Sequence, residues 1–136
     1  MTAKRTPVGL IDTSVLVAVA KGRQLREEGL PERSAISIVT VAELRAGVLA
    51  APDIESRDRR IATLEGVQGA TILPVEGKVA RAWAAMRAYL AASERSVSVN
   101  DLWIAATAAA HELPVVTQDR DYDALNGVMG LTVIPV

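Results

Sequence analysis

Short apolar runs alternate with longer helical patterns along this chain, and this alternation restricts its possible folds more than any other feature. The runs are rich in Val, Ile and Leu and have the length of strands, whereas the segments between them carry apolar residues at helical spacing. Such alternation is typical of α/β domains with a mainly parallel sheet. The predicted strands are Val8–Ile11 and residues 35–39, 71–75, 114–117 and 131–136, and the predicted helices are residues 15–21, 41–49, 54–64, 77–93 and 99–112.

The length of the chain fits one domain. It has 136 residues, half of them apolar, which is enough for a sizeable core, and we expect a single domain over residues 1–136. Lys4 and Arg5 before an apolar stretch resemble a secretory signal, but Asp12 interrupts that stretch. No run reaches the roughly 18 to 20 uncharged apolar residues that a membrane helix needs. We therefore expect a cytoplasmic protein without a membrane partner.

Composition argues against several kinds of site. Cysteine is absent, which excludes disulfides, thiolate catalysis and thiolate metal sites. The net charge of −1 provides no global basic field, so any contact with nucleic acid must use a local patch. Aromatic residues are too scarce to suggest a base-stacking platform. They are Trp83, Trp103, Tyr89 and Tyr122.

Four acidic residues follow predicted strands or begin a predicted helix. They are Asp12 after Val8–Ile11, Glu43 after the run 35–39, Asp119 after the run 114–117, and Asp101 at the start of the helix 99–112. Taken singly, each has an ordinary structural explanation. Residues 12–14 are common N-cap types, and Asp119 alone is typical of a turn. Two pairs match a capping box, in which the acid reaches back to the cap, and these are Thr40 with Glu43 and Ser98 with Asp101.

Taken together, the four acids indicate a metal site. In an open parallel sheet, sites form outside the carboxyl ends of the strands, where the strand order reverses, and the predicted elements bring all four acids toward that edge. Carboxylates within a few ångströms repel one another, and a divalent cation offsets that repulsion far more than helix N-termini do. Oxygen ligands suit a hard cation, Mg²⁺ or Mn²⁺. We expect His111, the single histidine, to be structural or solvent-facing rather than a ligand.

A carboxylate site that holds Mg²⁺ is typical of enzymes that act on phosphate esters. The metal activates a water molecule for attack and stabilises charge on the scissile phosphate. The phosphate-binding motif GxxxxGK[ST] does not occur in the sequence, so hydrolysis of a nucleoside triphosphate has no support. The residues by themselves therefore predict metal-dependent hydrolysis of a phosphate ester and leave the ester open.

Four motifs in order resemble the PIN-domain ribonucleases, and most of all the VapC-type toxins of bacterial toxin–antitoxin pairs. The motifs are LIDTSVL, TVAELRAG, NDLWIAATA and VVTQDRDYDAL, and the resemblance covers residues 8–136. Each motif alone is weak, whereas four in order are fairly specific. The resemblance implies a PIN-like three-layer α/β/α fold with a mainly parallel central sheet. It also implies cleavage of RNA phosphodiester bonds by water with Mg²⁺ or Mn²⁺.

The resemblance assigns roles to particular residues of this chain. The acidic quartet of the family, which holds the metal and carries catalysis, corresponds to Asp12, Glu43, Asp101 and Asp119.

The neighbours of that quartet carry weaker assignments. The hydroxyl that the family has near its last acid corresponds to Thr117, and Thr13 and Ser14 lie near enough to orient a ligand or water, although capping also explains them. Asp121 either assists or is a surface turn residue, and the second interpretation is favoured. Many relatives have Phe where this chain has Tyr122, a departure expected to affect packing more than chemistry.

The resemblance also implies partners. Such toxins cleave RNA, form homodimers, and are inhibited by a cognate antitoxin whose tail lies in a groove beside the active site. The predicted helices 15–21 and 41–49 are candidates for the walls of that groove. Arg23, Arg26 and Arg45 are each typical of a solvated surface, and together they are candidates for contacts with RNA phosphates, which give affinity rather than sequence preference.

Three other functions compete with a nuclease. The first is a PIN-like module that binds RNA or protein and has little or no catalytic activity. The second is a flavodoxin-like phosphotransfer domain, which needs a phosphate-accepting Asp and a later Lys after particular strands, and neither stands where required. The third is a phosphatase with an aspartyl nucleophile, which usually has a second acid two residues later, where this chain has Ser14.

Overall fold

Five short strands form one sheet in the computed structural model, which describes residues 5–136. They are β1 (Val8–Ile11), β2 (Arg33–Ser37), β3 (Thr71–Leu73), β4 (Val115–Thr117) and β5 (Val133–Pro135). The strand order is β3-β2-β1-β4-β5, and each of the described pairs is parallel. The mainly parallel sheet that the alternating pattern predicts is therefore confirmed.

Helices connect these strands. They are α1 (Thr13–Ala20), α2 (Ile38–Leu49), α3 (Ile54–Gly66), α4 (Gly77–Ala92) and α5 (Val99–Ala110). Three short 3₁₀ segments complete the described elements, at Glu27–Gly29, Arg120–Leu125 and Val128–Gly130. Within residues 5–136, none of the helices has both the length and the apolar character that a membrane span requires.

The two faces of the sheet pack against different helices. Because successive residues of a strand point to opposite faces, the central strands divide their apolar side chains between two layers. Leu10, Ala35 and Val115 lie in the core formed with α4 and α5, whereas Ile11, Ile36 and Val116 lie in the cores formed with α1, α2 and the end of α3. The three-layer α/β/α architecture is therefore confirmed.

The order of the strands reverses between β1 and β4. From β1 the chain continues to β2 and β3 on one side, and it later adds β4 and β5 on the other side. The carboxyl ends of β1 and β4 therefore flank the point at which parallel sheets usually place their sites. Asp12 follows β1 directly, and Asp119 lies two residues beyond β4.

The junction between β2 and α2 differs from the prediction. The strand ends at Ser37 and the helix begins at Ile38, because the Ser37 side chain accepts a hydrogen bond from Val39 N at 3.1 Å and caps the helix there. Thr40 is therefore inside α2 and cannot be its cap. The predicted capping box of Thr40 and Glu43 is wrong, whereas Ser98 does cap α5, accepting from Asp101 N at 3.2 Å.

Other boundaries differ by a few residues. The strand predicted over residues 71–75 ends at Leu73, since Pro74 has no N–H for the sheet ladder. Helix α1 begins at Thr13 rather than at residue 15, because the Asp12 side chain accepts from Ser14 N and caps it. The strands predicted over 114–117 and 131–136 are shortened to Val115–Thr117 and Val133–Pro135.

Candidate active site

The four acids that the sequence singles out line one open cavity at the carboxyl edge of the sheet. The cavity has a volume of about 480 Å³ and lies beside the point where the strand order reverses. Its lining residues are Asp12, Thr13, Ser14, Val17, Arg23, Glu43, Asp101, Gln118, Asp119 and Arg120. We call this space the acid cavity.

Asp12 is buried, with 2% of its surface exposed, and hydrogen bonds offset the cost of burying its carboxylate. Its Oδ2 accepts from Ser14 Oγ at 2.6 Å, from Thr117 Oγ1 at 2.9 Å and from Ser14 N at 3.3 Å. Its Oδ1 accepts from the Tyr122 hydroxyl at 2.8 Å. Four donors therefore hold both oxygens of this carboxylate in place.

The donors to Asp12 also connect β1 to the segment after β4. Ser14 Oγ accepts from Gln118 N at 3.0 Å, and Thr117 Oγ1 accepts from Asp119 N at 2.9 Å. Asp119 is thereby placed next to the first strand, and its Oδ1 accepts from Asp121 N at 2.9 Å. Asp121 uses its backbone in this contact, and its residue surface is exposed.

Glu43 is held on the other side of the acid cavity by a separate contact. Thr13 Oγ1 donates to Glu43 Oε1 at 2.7 Å and lies 3.0 Å from the hydroxyl of Thr40, which is buried. The structure therefore places Thr13 beside Glu43, while its neighbour Ser14 binds Asp12. Thr40, expected to be a helix cap, is instead buried within α2, next to the hydroxyl of Thr13.

Asp101 lies in the first turn of α5, and its surroundings favour the protonated form. Burial raises the pKa of its carboxyl to about 6, the charges of Asp12 and Asp119 add to the rise, and hydrogen bonds with Ser98 and Tyr122 oppose it. Like charges facing the same space have this effect because each makes ionisation of the next more costly. The acid cavity thus has an excess of negative charge.

Tyr122 takes part in the polar network, which corrects the expectation that it affects mainly packing. It is fully buried, and its hydroxyl lies 2.8 Å from Asp12 Oδ1 and 3.2 Å from Asp101 Oδ1. Burial and the two carboxylates raise the pKa of the phenol above its ordinary value, so it remains a neutral donor. The only signal in the sequence was the presence of a hydroxyl where the resembling family has Phe.

Comparison with known proteins agrees with this geometry. The family model described as the PIN domain matches residues 9–128, which is most of the chain. The chain belongs to the PIN-domain family. Within that family it groups with the VapC proteins. Ribonuclease VapC5 of Mycobacterium tuberculosis is 52% identical over 128 residues, covering 94% of this chain and 95% of the relative. Ribonuclease VapC4 of the same organism is 38% identical over 124 residues, covering 91% and 95%.

A solved structure is similar along nearly the whole chain. It is the crystal structure of VapBC-5 from Mycobacterium tuberculosis, a member of the VapBC family of toxin–antitoxin systems. The matched chain is 50% identical, with a TM-score of 0.89, and the match covers 95% of this chain and 98% of that one. The PIN fold is therefore supported both by sequence and by backbone geometry.

The donors in this PIN domain fit a hard cation in their chemistry. Carboxylate and hydroxyl oxygens line the acid cavity. Burial is the main cause of the raised pKa of Asp101, and the charges of Asp12 and Asp119 add a repulsion that a divalent cation would relieve. Within residues 5–136, however, no three Asp, Glu or His side chains are close enough to form a ready-made metal cluster. His111 ends α5, at the opposite end of that helix from Asp101.

Two arginines line the acid cavity of the PIN domain. Arg23 follows Gly22, whose φ of +70° ends α1, and Arg23 N donates to Ala18 O at 2.9 Å. Arg120, which the sequence analysis did not single out, lines both this cavity and a neighbouring one of about 430 Å³ that includes Arg26. Arg45 is exposed on α2 and lines neither of these two cavities.

A second, mostly apolar cleft of about 360 Å³ opens beside the acid cavity. It lies between α1, α2 and α3 and shares Thr13, Val17 and Glu43 with the acid cavity. Its remaining lining residues are Ala20, Lys21, Leu44, Gly47, Ser56, Arg59, Arg60 and Thr63. The helices α1 and α2, which the sequence analysis named as groove walls, thus do border a cleft, and α3 supplies a third side.

Proposed function

We propose that this PIN domain is an endoribonuclease that depends on Mg²⁺ or Mn²⁺ and acts as the toxin of a toxin–antitoxin pair. One observation carries the proposal: four acids from β1, α2, α5 and the end of β4 line a single cavity in a chain 52% identical to a ribonuclease. RNA is the proposed substrate, since the relatives described above are named ribonucleases.

The acid cavity provides the ligands for the cation. Asp12, Glu43, Asp101 and Asp119 would hold it. When bound, the metal supplies an activated water molecule and neutralises charge on the scissile phosphate.

The residues of the chain prepare the site for that chemistry. Ser14 and Thr117 donate to Oδ2 of Asp12 and hold its side chain in one orientation. Thr13 orients Glu43 toward the same space. Arg23 and Arg120 lie at the cavity and are suited to bind the phosphates of a strand that crosses it, which gives affinity without sequence preference.

The decisive experiment combines metal removal with loss of the buried acid. Purified protein is incubated with total RNA in Mg²⁺ or in EDTA, alongside Asp12→Asn and the control Asp58→Asn, which changes an exposed acid on α3. We expect cleavage by the parent and the control in Mg²⁺ only, and none by Asp12→Asn. Cleavage that survives both EDTA and Asp12→Asn would refute the metal mechanism.

A second candidate function is a PIN-like module that binds RNA or protein with little catalysis. The observation in its favour is that, within the described residues 5–136, no three acidic or histidine side chains form a ready-made metal cluster. This candidate predicts that RNA is retained in a filter-binding assay while no RNA is cut under any of several divalent ions. The same preparation thus separates the two functions.

We also propose that the cleft between α1, α2 and α3 takes the tail of the antitoxin. The similar structure contains a toxin–antitoxin system, and the cleft opens directly beside the acid cavity, so an occupant there would restrict access to the acids. Gly47 lines the cleft, and a Cβ added there would lie 3.9 Å from Arg60 Cδ, an ordinary van der Waals contact. We expect Gly47→Leu to weaken co-purification with the product of a short upstream reading frame.

The control for that experiment is Ala42→Leu, which places the same side chain at an exposed position of α2 outside the cleft. Equal co-purification of both variants would count against this cleft. The homodimer implied by the family resemblance and the cytoplasmic location expected from the apolar runs of the sequence are part of the same proposal. Light scattering coupled to size exclusion tests the first, and cell fractionation tests the second.

A further inference from the structure

Among residues 5–136, the Tyr122 hydroxyl is the donor that contacts two of the four acids. It lies 2.8 Å from Asp12 Oδ1 and 3.2 Å from Asp101 Oδ1, and thus joins the end of β1 to the start of α5. A Phe ring of the same shape would fill the core equally well, so packing does not account for the oxygen. Burying a hydroxyl costs free energy unless it is hydrogen-bonded, and here both possible partners are carboxylates of the acid cavity.

Ion pairs do not offset the negative charge of these two acids in the described part of the chain. Among residues 5–136 the ion pairs are Arg59 with Glu55 and Lys78 with Glu76, so neither Asp12 nor Asp101 is paired with a cationic side chain. Ser14 and Thr117 donate to Oδ2 of Asp12, on the other oxygen from Tyr122. The phenol is therefore a neutral hydrogen-bond partner that Asp12 and Asp101 share, whereas Ser98 contacts Asp101 alone.

We propose that Tyr122 is a positioning residue that pre-organises Asp12 and Asp101 for a divalent cation. The inference deepens the proposed metal-dependent function and rests on it. A cation that binds two carboxylates already held together spends less of its binding free energy on bringing them together. Groups that hold metal ligands in this way typically change metal affinity by about 10–100-fold when they are lost.

The test compares the two tyrosines of the chain. Mn²⁺ binding is measured by calorimetry on the metal-free protein without RNA, for the parent, Tyr122→Phe and Tyr89→Phe. Tyr89 is 43% exposed on α4, so its variant controls for loss of a phenol elsewhere. We expect the dissociation constant to rise about tenfold for Tyr122→Phe and to stay unchanged for Tyr89→Phe.

Activity provides a second readout that a role in packing would not produce. The Mn²⁺ concentration for half-maximal RNA cleavage should rise for Tyr122→Phe by the same factor as the dissociation constant, whereas kcat at saturating Mn²⁺ should change less. Equal or tighter Mn²⁺ binding by Tyr122→Phe would overturn the inference. Failure of the parent to bind Mn²⁺ would instead overturn the proposed metal dependence itself, so the two failures are distinguishable.

A fluorine probe keeps the inference testable if Tyr122→Phe folds poorly. In Tyr89→Phe protein grown with 3-fluorotyrosine, residue 122 carries the only label. We expect its ¹⁹F resonance to move as Mg²⁺ saturates the site, and to stay fixed when Mg²⁺ is added to the same protein carrying Asp12→Asn. A resonance that does not move at saturating Mg²⁺ would contradict a role for this hydroxyl beside the cation.

Discussion

The two sides of the acid cavity hold their acids in different ways. On one side Asp12 is buried at the end of β1 and accepts four hydrogen bonds from Ser14, Thr117 and Tyr122. On the other side Glu43 is only partly buried on α2 and accepts one bond from Thr13. We refer to these groups as the Asp12 cluster and the Glu43 cluster.

This difference in burial and hydrogen bonding indicates that the two acids contribute differently to the fold. Because the Asp12 cluster ties β1 to the segment after β4, its carboxylate contributes to the folded state as well as to the site. The Glu43 cluster joins α1 to α2, and its acid is partly exposed and accepts a single hydrogen bond, so fewer contacts restrain it. The two acids should therefore respond very differently to the same substitution.

The largest effect is expected from truncating each acid to Ala. Asp12→Ala removes the carboxylate to which the hydroxyls of Ser14, Thr117 and Tyr122 donate, and should lower the free energy of unfolding by about 1–3 kcal/mol, even after relief of repulsion with Asp101. Glu43→Ala should change it by no more than about 0.5 kcal/mol, since the side chain is partly exposed and Ala favours a helix. Urea unfolding in EDTA measures both, and similar losses would contradict the distinction between the clusters.

The next effect concerns Asp101, which faces the Asp12 cluster. Its pKa is about 6 in the folded protein against 3.8 for an ordinary Asp, so the proton binds more tightly to the folded state. This contribution to stability is fully present below pH 3.8 and is lost as the pH rises through about 6. The rise in the pKa of Asp101 corresponds to at most about 3 kcal/mol in the free energy of unfolding. Solvent screening at this half-exposed carboxyl reduces that contribution to about 1 kcal/mol.

The measurement is the melting temperature of the parent and of Asp101→Asn in EDTA, from about pH 4 to about pH 7. Because other acids respond to pH in both proteins, the difference between the two melting temperatures isolates this group. That difference should shift in favour of Asp101→Asn as the pH rises. A constant difference would show that the pKa of Asp101 is not raised in the folded protein.

The sequence predicts the position of the acids better than it predicts their partners. Acids placed after parallel strands must come to one edge of the sheet, so the positions of Asp12 and Asp119 at one cavity follow from the element pattern alone. Glu43 reaches the same cavity from the second turn of α2. Capping was less predictable. Ser37 caps α2 three residues before the predicted Thr40, because two β-branched residues, Ile38 and Val39, enter the helix instead of extending the strand.

The polar contacts depend on distances that no local pattern encodes. Tyr122 is 110 residues from Asp12 in the chain, and the direction of its hydroxyl is set by how the 3₁₀ segment Arg120–Leu125 packs against α5. The partners of Thr13 and Ser14 differ for a similar reason, since adjacent residues at the start of a helix point in different directions. Packing decides such contacts, so sequence spacing alone cannot assign them.

A smaller effect should follow from loosening the Glu43 cluster without removing its acid. Thr13→Val keeps the shape of the side chain but removes the donor to Glu43 Oε1. We expect RNA cleavage at limiting Mg²⁺ to fall by up to about tenfold, with stability changed by less than about 1 kcal/mol. Thr71→Val, at an exposed position of β3, is the control. If Thr13→Val lowered the free energy of unfolding clearly but left RNA cleavage unchanged, Thr13 would serve the fold rather than the site.

The smallest effect is expected at Asp121, which directly precedes Tyr122 in the sequence but belongs to neither cluster. Its contact with Asp119 is made by its backbone N–H, which any residue except proline supplies, and its own surface is exposed. Asp121→Ala should therefore leave RNA cleavage within about twofold and stability within about 0.5 kcal/mol of the parent. Asp119→Ala, two residues earlier on the cavity wall, is the matched comparison and should abolish cleavage. If Asp121→Ala lost activity to a similar extent, the exposed carboxylate would have to reach the substrate or the cation, and the boundary drawn here between cavity acids and surface acids would be wrong.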